Sequence, residues 1–170
     1  MPWQDERVYG NEAQNLLGKL PAKQFVNSKI LLGAASDSPE VKAFATQRYP
    51  YVFEDDAEGH GAVLRYDSNS TFRPEEMAAF VLSYAKQIAE GHAKTSIKDC
   101  VITCPPFFSA RQRYALLNAA SIAGLNVLSL LHEPTAFAFK YGFDKESEFK
   151  LDEPTNVVFY DLGASSYKVN

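Results

Sequence analysis

Apolar residues recur along this chain with a spacing that changes from segment to segment, and each spacing predicts a different element. The first third is loosely amphipathic. Asn11 is placed to cap a helix whose Ala13, Leu16 and Leu17 share one face, and Pro21 ends it. A second short helical stretch, Val26 to Gly33, carries Lys29. Tyr51-Val52-Phe53 and Ala62-Val63-Leu64-Arg65-Tyr66 are β-rich runs on either side of the polar segment Glu54 to Gly61, which predicts an exposed hairpin with a solvated acidic loop. Pro74 then opens the clearest helix. Glu75 and Glu76 suit the positive end of its dipole, and Met77, Phe80, Val81, Tyr84, Ala85 and Ile88 form one face that predicts core packing.

From Cys100 the pattern is strand–helix–strand–helix–strand. Val101 to Cys104 reads as a buried strand stopped by Pro105-Pro106. Ser109 caps a helix through Leu116, Leu117 and Ile122, with Gly124 just past its end. Val127 to Leu131 predicts a strand, Thr135 to Tyr141 a helix, and Val157 to Tyr160 a strand that leads through Asp161-Leu162-Gly163 into Ser166 to Val169. The chain stops within that last hairpin, so we expect a piece of a larger domain.

Composition narrows the class. With 46% hydrophobic and 22% charged residues, the chain is globular rather than disordered. A net charge of -4 offers no basic footprint, so nucleic acid is not an expected partner. No apolar run approaches the roughly 18 residues of a membrane span, and Met1 to Arg7 has no apolar core of a signal peptide. Cys100 and Cys104, four residues apart in a strand, would lie about 13 Å apart, too far for a disulfide. They read as small buried hydrophobes. The aromatic residues Phe107, Phe108, Tyr114, Phe137, Phe139 and Tyr141 are expected mainly in the core. His60, His92 and His132 are scattered and make no metal trio.

Four features could carry chemistry, and each has a plainer reading. Asp161-Leu162-Gly163-Ala164-Ser165-Ser166 is a strand-ending turn of small residues whose backbone N–H groups could face an anion, with Asp161 holding a metal-bound water. A plain hairpin turn reads the same way. Glu133 stands where a strand passes into a helix, a position used by catalytic carboxylates and by ordinary helix starts. Lys29 could meet a phosphate or be a solvated lysine. Pro105 and Arg113 say nothing alone.

Taken together, the motifs resemble the heat-shock-70 family. They are Val101-Ile102-Thr103-Cys104-Pro105-Pro106-Phe107-Phe108, Ala119 to Val127 around Gly124, Glu133-Pro134-Thr135-Ala136, Tyr141-Gly142 and Phe159-Tyr160-Asp161-Leu162-Gly163. Tyr9-Gly10-Asn11 through Lys29 to Leu31-Leu32-Gly33 extends the resemblance over essentially the whole chain. Phe159 to Ser166, Pro74-Glu75-Glu76 with Ala89-Glu90, and Ile97-Lys98-Asp99 look most like the large endoplasmic-reticulum branch, the hypoxia up-regulated protein type.

The resemblance implies an α/β fold: the greater part of lobe I of an actin-like, ribonuclease-H-like ATPase, with a mixed sheet, flanking helices and a small α+β subdomain. Residues 1–73 would be the small subdomain and 74–170 the core subdomain, with the first phosphate loop and lobe II outside this chain. ATP or ADP with Mg2+ is the implied cofactor. Lys29 would reach the γ-phosphate and attacking water, while Glu133 and Asp161 would hold the magnesium through water. Gly163, Ala164, Ser165 and Ser166 would form the second phosphate loop, and Pro105 with Arg113 the nucleotide-sensing switch. Implied partners are unfolded polypeptides and a lumenal heat-shock-70 chaperone whose ADP it releases, with neither nucleic acid nor membrane. The implied location is the reticulum lumen, with the cytoplasm as alternative. Asn69-Ser70-Thr71 is an N-glycosylation acceptor that would suit a lumenal protein.

Two departures bear on the chemistry. Ala164 and Ser165 replace glycines of the family loop, and added side chains crowd a backbone approaching phosphate. Lys168 stands where the family has an aspartate near its cation site, where an ammonium could substitute for a bound cation or disable hydrolysis. The implied ATPase activity is therefore weak at most, and this chain alone is expected to be inactive. The alternatives are a cytosolic heat-shock-70 or -110 chaperone, a pseudo-ATPase binding module, and a sugar-kinase-like enzyme on the same superfold.

Overall fold

The computed structural model describes residues 7–16, 18–19, 24–35, 37–39, 41–43, 52–55, 61–67, 69–150, 152–163 and 167–169. Among the described residues the α-helices are α1 (Gly10–Asn15), α2 (Pro74–Ala93), α3 (Ala110–Ile122) and α4 (Glu133–Asp144). Its strands are β1 (Val52–Asp55), β2 (Ala62–Arg65), β3 (Thr71–Phe72), β4 (Asp99–Cys104), β5 (Asn126–His132), β6 (Tyr160–Leu162) and β7 (Tyr167–Val169). The strands form three small sheets, β1-β2-β3, β4-β5 and β6-β7. By compactness the chain divides into a first unit, Met1–Asp99 with Ser109–Asn126, and a second, Cys100–Phe108 with Val127–Asn170.

The first unit is built on a cluster of Leu31, Val41, Ala62, Leu64 and Met77, with Phe25, Ala34, Phe72 and Phe80 packed against it. The expected hairpin is present: β1 and β2 pair antiparallel, Val52 with Arg65 and Asp55 with Ala62, and the short β3 adds to the other edge of β2. The acidic segment is not simply a solvated loop. Glu54 and Asp55 belong to β1, and the Arg65 guanidinium donates to the Glu54 carboxylate, with Nε at 2.7 Å. His60 and the rest of that loop lie outside the described residues.

Helix α2 begins at Pro74 as expected, and the Glu76 carboxylate accepts from the Arg73 N–H at 2.8 Å, which anchors an otherwise unpaired donor. Its apolar face is covered only in part. Met77 and Ala79 are buried, whereas Val81 and Ile88 are exposed and Tyr84 stacks on Tyr9 at 4.5 Å. Periodicity identifies the face of a helix; the elements laid against it decide which turns are covered. Here those elements are β2, the Ser28–Leu31 turn and α3. Helix α3 packs on α2 through small residues, Ala115, Ala119 and Ala120 being buried. Ser109 caps it in a reciprocal box: the Ser109 hydroxyl accepts from the Gln112 N–H at 3.3 Å, and the Gln112 side-chain oxygen accepts from the Ser109 N–H at 2.9 Å. Gly124 follows the helix end with φ +68°, the left-handed conformation that such an end requires.

Helix α1 starts two residues earlier than expected. Tyr9 occupies the cap position, with no side-chain hydrogen bond, and Asn11 is inside the helix. Pro21 lies outside the described residues. A close approach the sequence does not announce joins Gly33 to α3: at φ +61°, a Cβ on Gly33 would sit 2.8 Å from the Arg111 carbonyl oxygen.

In the second unit, β4 ends at the buried Pro105, whose carbonyl accepts from the Phe108 N–H at 3.1 Å. Cys100 and Cys104 are both thiols, Cys104 fully buried. Helix α4 is longer than expected and contains Glu133 as its first residue. Strand β6 starts at Tyr160, three residues later than expected, and pairs antiparallel with β7, Tyr160 opposite Val169. Of the six aromatic residues expected mainly in the core, only Phe108 is buried. Phe107 and Tyr114 each remain 68% exposed. Among the described residues no helix is long and apolar enough to cross a membrane.

Candidate functional site

Three charged side chains of the second unit converge. Asp161 lies in β6 directly opposite Lys168 in β7, so the pleat places both on one face of the hairpin. Tyr160, Leu162, Tyr167 and Val169 take the other orientation and are exposed. Glu133 enters from another element. It is the first residue of α4, where the N-terminal end of the helix favours a negative charge. Pro134 follows in the first turn, where no backbone N–H is missed.

Lys168 Nζ lies 2.7 Å from Glu133 Oε2 and 3.3 Å from Asp161 Oδ2. The Lys168 and Glu133 side chains are only 17% and 15% exposed, while Asp161 is 36% exposed. Glu133 Oε2 itself is buried, and its contact with Lys168 is an ion pair. The contact with Asp161 is a hydrogen bond. Glu133, then Asp161, raise the Lys168 pKa above the usual lysine value, against the opposing effect of burial. The ammonium therefore stays charged through the physiological range.

The remaining candidates are distributed as follows. Lys29 is exposed in the Ser28–Leu31 turn of the first unit, between the left-handed Asn27 and the buried Leu31. Arg113 lies in the first turns of α3, its N–H bonded to the Ser109 carbonyl at 3.0 Å, while Pro105 belongs to the second unit. Gly163 follows β6 and is exposed; Ala164, Ser165 and Ser166 lie outside the described residues. Asn69 is exposed on the β2–β3 connection, its N–H donating to the Asp67 carboxylate at 2.8 Å. An open, largely apolar groove of about 490 Å³ along α4 is lined by Thr135, Phe139 and Phe143 among others, and none of the candidate site residues lines it.

The acidic pair is already in contact with a cation of this chain. Two carboxylates share one ammonium, and no group of three or more His, Cys, Asp or Glu side chains suited to a metal occurs among the described residues. Lys168 stands out in sequence only as a departure from the family pattern. That it reaches Glu133 as well as Asp161 depends on how α4 meets the hairpin, which no local signal announces.

Comparison with known proteins agrees with the motif pattern. The family profile described as Hsp70 protein matches residues 3–170. Hypoxia up-regulated protein 1 of Xenopus laevis is 35% identical over 163 residues, covering 96% of this chain and 25% of that protein. Heat shock 70 kDa protein 17 of Arabidopsis thaliana is 34% identical, covering 95% of this chain and 18% of that protein. The heat shock 70 kDa protein of Ajellomyces capsulatus is 34% identical, covering 97% of this chain and 23% of that protein. The chain thus spans about a quarter or less of the curated relatives it matches. A profile match over nearly every residue, joined to the Pro105-Pro106, Glu133-Pro134 and Asp161-Leu162-Gly163 motifs in order, places this chain in the Hsp70 family.

Proposed function

We propose that this chain is nucleotide-binding machinery of an ATP-regulated chaperone, forming most of lobe I of an actin-like ATPase. Residues 1–73 are its small subdomain and 74–170 its core subdomain. The family match over residues 3–170 supports the chaperone class. The observation that carries the site is the convergence of Glu133 and Asp161 from a helix start and a strand onto one cation. Carboxylates gathered around positive charge are what phosphoryl chemistry requires, since positioning and electrostatics supply most of its catalysis.

In this reading Lys29 contacts the terminal phosphate of ATP or ADP. Gly163 to Ser166 cradle the phosphates, and Pro105 with Arg113 relay nucleotide state. Magnesium arrives with the nucleotide. The clients are unfolded polypeptides. Similarity to hypoxia up-regulated protein 1 supports the large reticulum branch, acting in the lumen as an exchange factor for a heat-shock-70 partner, with Asn69 glycosylated. Similarity to relatives named only as heat shock proteins keeps a cytoplasmic chaperone as the alternative.

A second reading is favoured by one specific observation. Lys168 already holds both carboxylates, which suits a module that binds nucleotide and partner but turns over ATP slowly or not at all. Nucleotide titration of the full-length protein tests the main reading, with wild type and Lys29→Ala compared by calorimetry. Saturable Mg-ATP binding that Lys29→Ala weakens at least tenfold, about 1.4 kcal/mol, supports it. Absence of binding by ATP and ADP in the wild type overturns it.

A further inference from the structure

We propose that Lys168 is the resident cation of this site, a tethered ammonium that holds Glu133 and Asp161 together and closes them to a divalent ion. Three observations carry the assignment. The ammonium contacts both carboxylates, at 2.7 and 3.3 Å. Its position is set by cross-strand pairing of Asp161 with Lys168, so the backbone register holds it against one of the acids it neutralises. The Glu133 side chain is 15% exposed, its Oε2 atom is buried, and the Lys168 ammonium lies beside that atom. A carboxylate removed from water requires a positive charge close by, and this chain supplies one from its own sequence.

The consequence is a difference in ion dependence. The pair and its lysine sum to a single negative charge, and a divalent ion approaching the carboxylates would meet the ammonium first. Magnesium then reaches the site only on the phosphates of a nucleotide. Glu133 and Asp161 act as an anchored, pre-neutralised wall rather than as a metal trap. This inference rests on the nucleotide-site reading above, but it concerns the carboxylates alone, and its test uses a metal without nucleotide so that the two can fail separately.

The test is Mn2+ binding to the full-length protein without nucleotide, followed by loss of the free-ion electron paramagnetic resonance signal and competed with Mg2+. Wild type and Lys168→Arg are expected to show no site that depends on Glu133. Lys168→Gln is expected to gain one, with affinity at least about tenfold above wild type. Adding Glu133→Gln to that variant should remove the gained site. Circular dichroism confirms that each variant is folded. The proposal is overturned if wild type binds Mn2+ at a site lost in Glu133→Gln, a comparison that does not depend on any Lys168 variant folding. It is also overturned if folded Lys168→Gln gains no site.

Discussion

The Lys168 ammonium lies 2.7 Å from the Glu133 carboxylate and so ties the β6–β7 hairpin to the first turn of α4. Each residue is more than four-fifths withdrawn from solvent. Removing one partner strands the other, whereas removing both leaves no uncompensated charge. Lys168→Met is therefore expected to destabilise the protein by about 1–3 kcal/mol, and the double variant Lys168→Met/Glu133→Gln to recover most of that loss. Urea unfolding of the four members of the cycle measures the coupling. Additive losses in the single variants would show that the two charges do not act as a pair.

The same pair has a pH signature. The folded-state pKa of Lys168 is raised above 10.5, so its contribution is complete below that value and disappears only as pH rises through the higher folded pKa. Wild type should lose more stability than Lys168→Met in the alkaline range above about pH 10.5. Between pH 7 and 9 their difference should stay constant. Denaturant midpoints across that range check it.

Gly33 is the most exacting backbone position in the first unit. Its φ of +61° is costly for any other residue, and an added Cβ would meet the backbone of Arg111 rather than a movable side chain. Gly33→Ala should cost at least about 2 kcal/mol, since left-handed strain and overpacking add. Thermal melts would show this as a large drop in Tm. Gly91, where a Cβ would meet nothing, provides the control: Gly91→Ala should be neutral or mildly stabilising.

The Ser109 box at the start of α3 should respond more modestly. Ser109→Ala removes the acceptor for the Gln112 N–H and should cost about 1 kcal/mol, with Ser109→Asp retaining most of the wild-type stability. The Glu54–Arg65 pair marks the lower end of the scale. Both side chains are about a third exposed, so Glu54→Gln should change stability by less than about 1 kcal/mol, and added salt should shrink the difference further. Chemical denaturation at two salt concentrations separates the two cases.

Elements set by local chemistry are legible in the sequence. Pro74 with Glu76, and Ser109 with Gln112, mark helix starts through capping groups within one turn, and Gly124 marks an end through its left-handed φ. The hairpin from Val52 to Arg65 follows from two β-rich runs and an intervening polar run. Burial is less legible. Val81 and Ile88 fit the apolar face of α2 yet remain exposed, because periodicity does not tell which turns a neighbouring element covers. Tyr160 and Tyr167 are similarly exposed, on the face of their hairpin opposite Asp161 and Lys168. At the site, Glu133, Asp161 and Lys168 can each be singled out from sequence, the first two by position and the third as a departure. Their meeting point cannot, since it depends on tertiary placement of α4 against β6 and β7.

Glu133 and Asp161 hold the largely shielded Lys168 ammonium, and the side-chain ammonium spectrum of the lysines by heteronuclear NMR reads this contact out. One ammonium correlation should be protected from exchange with water, absent in Lys168→Arg and broadened in Glu133→Gln. The exposed Lys140 and Lys150 ammonium groups should exchange quickly despite their ion pairs, because their side chains are 76% and 70% accessible. Fast exchange of every lysine ammonium, with no signal sensitive to Glu133→Gln, would show that Glu133 and Asp161 do not hold Lys168.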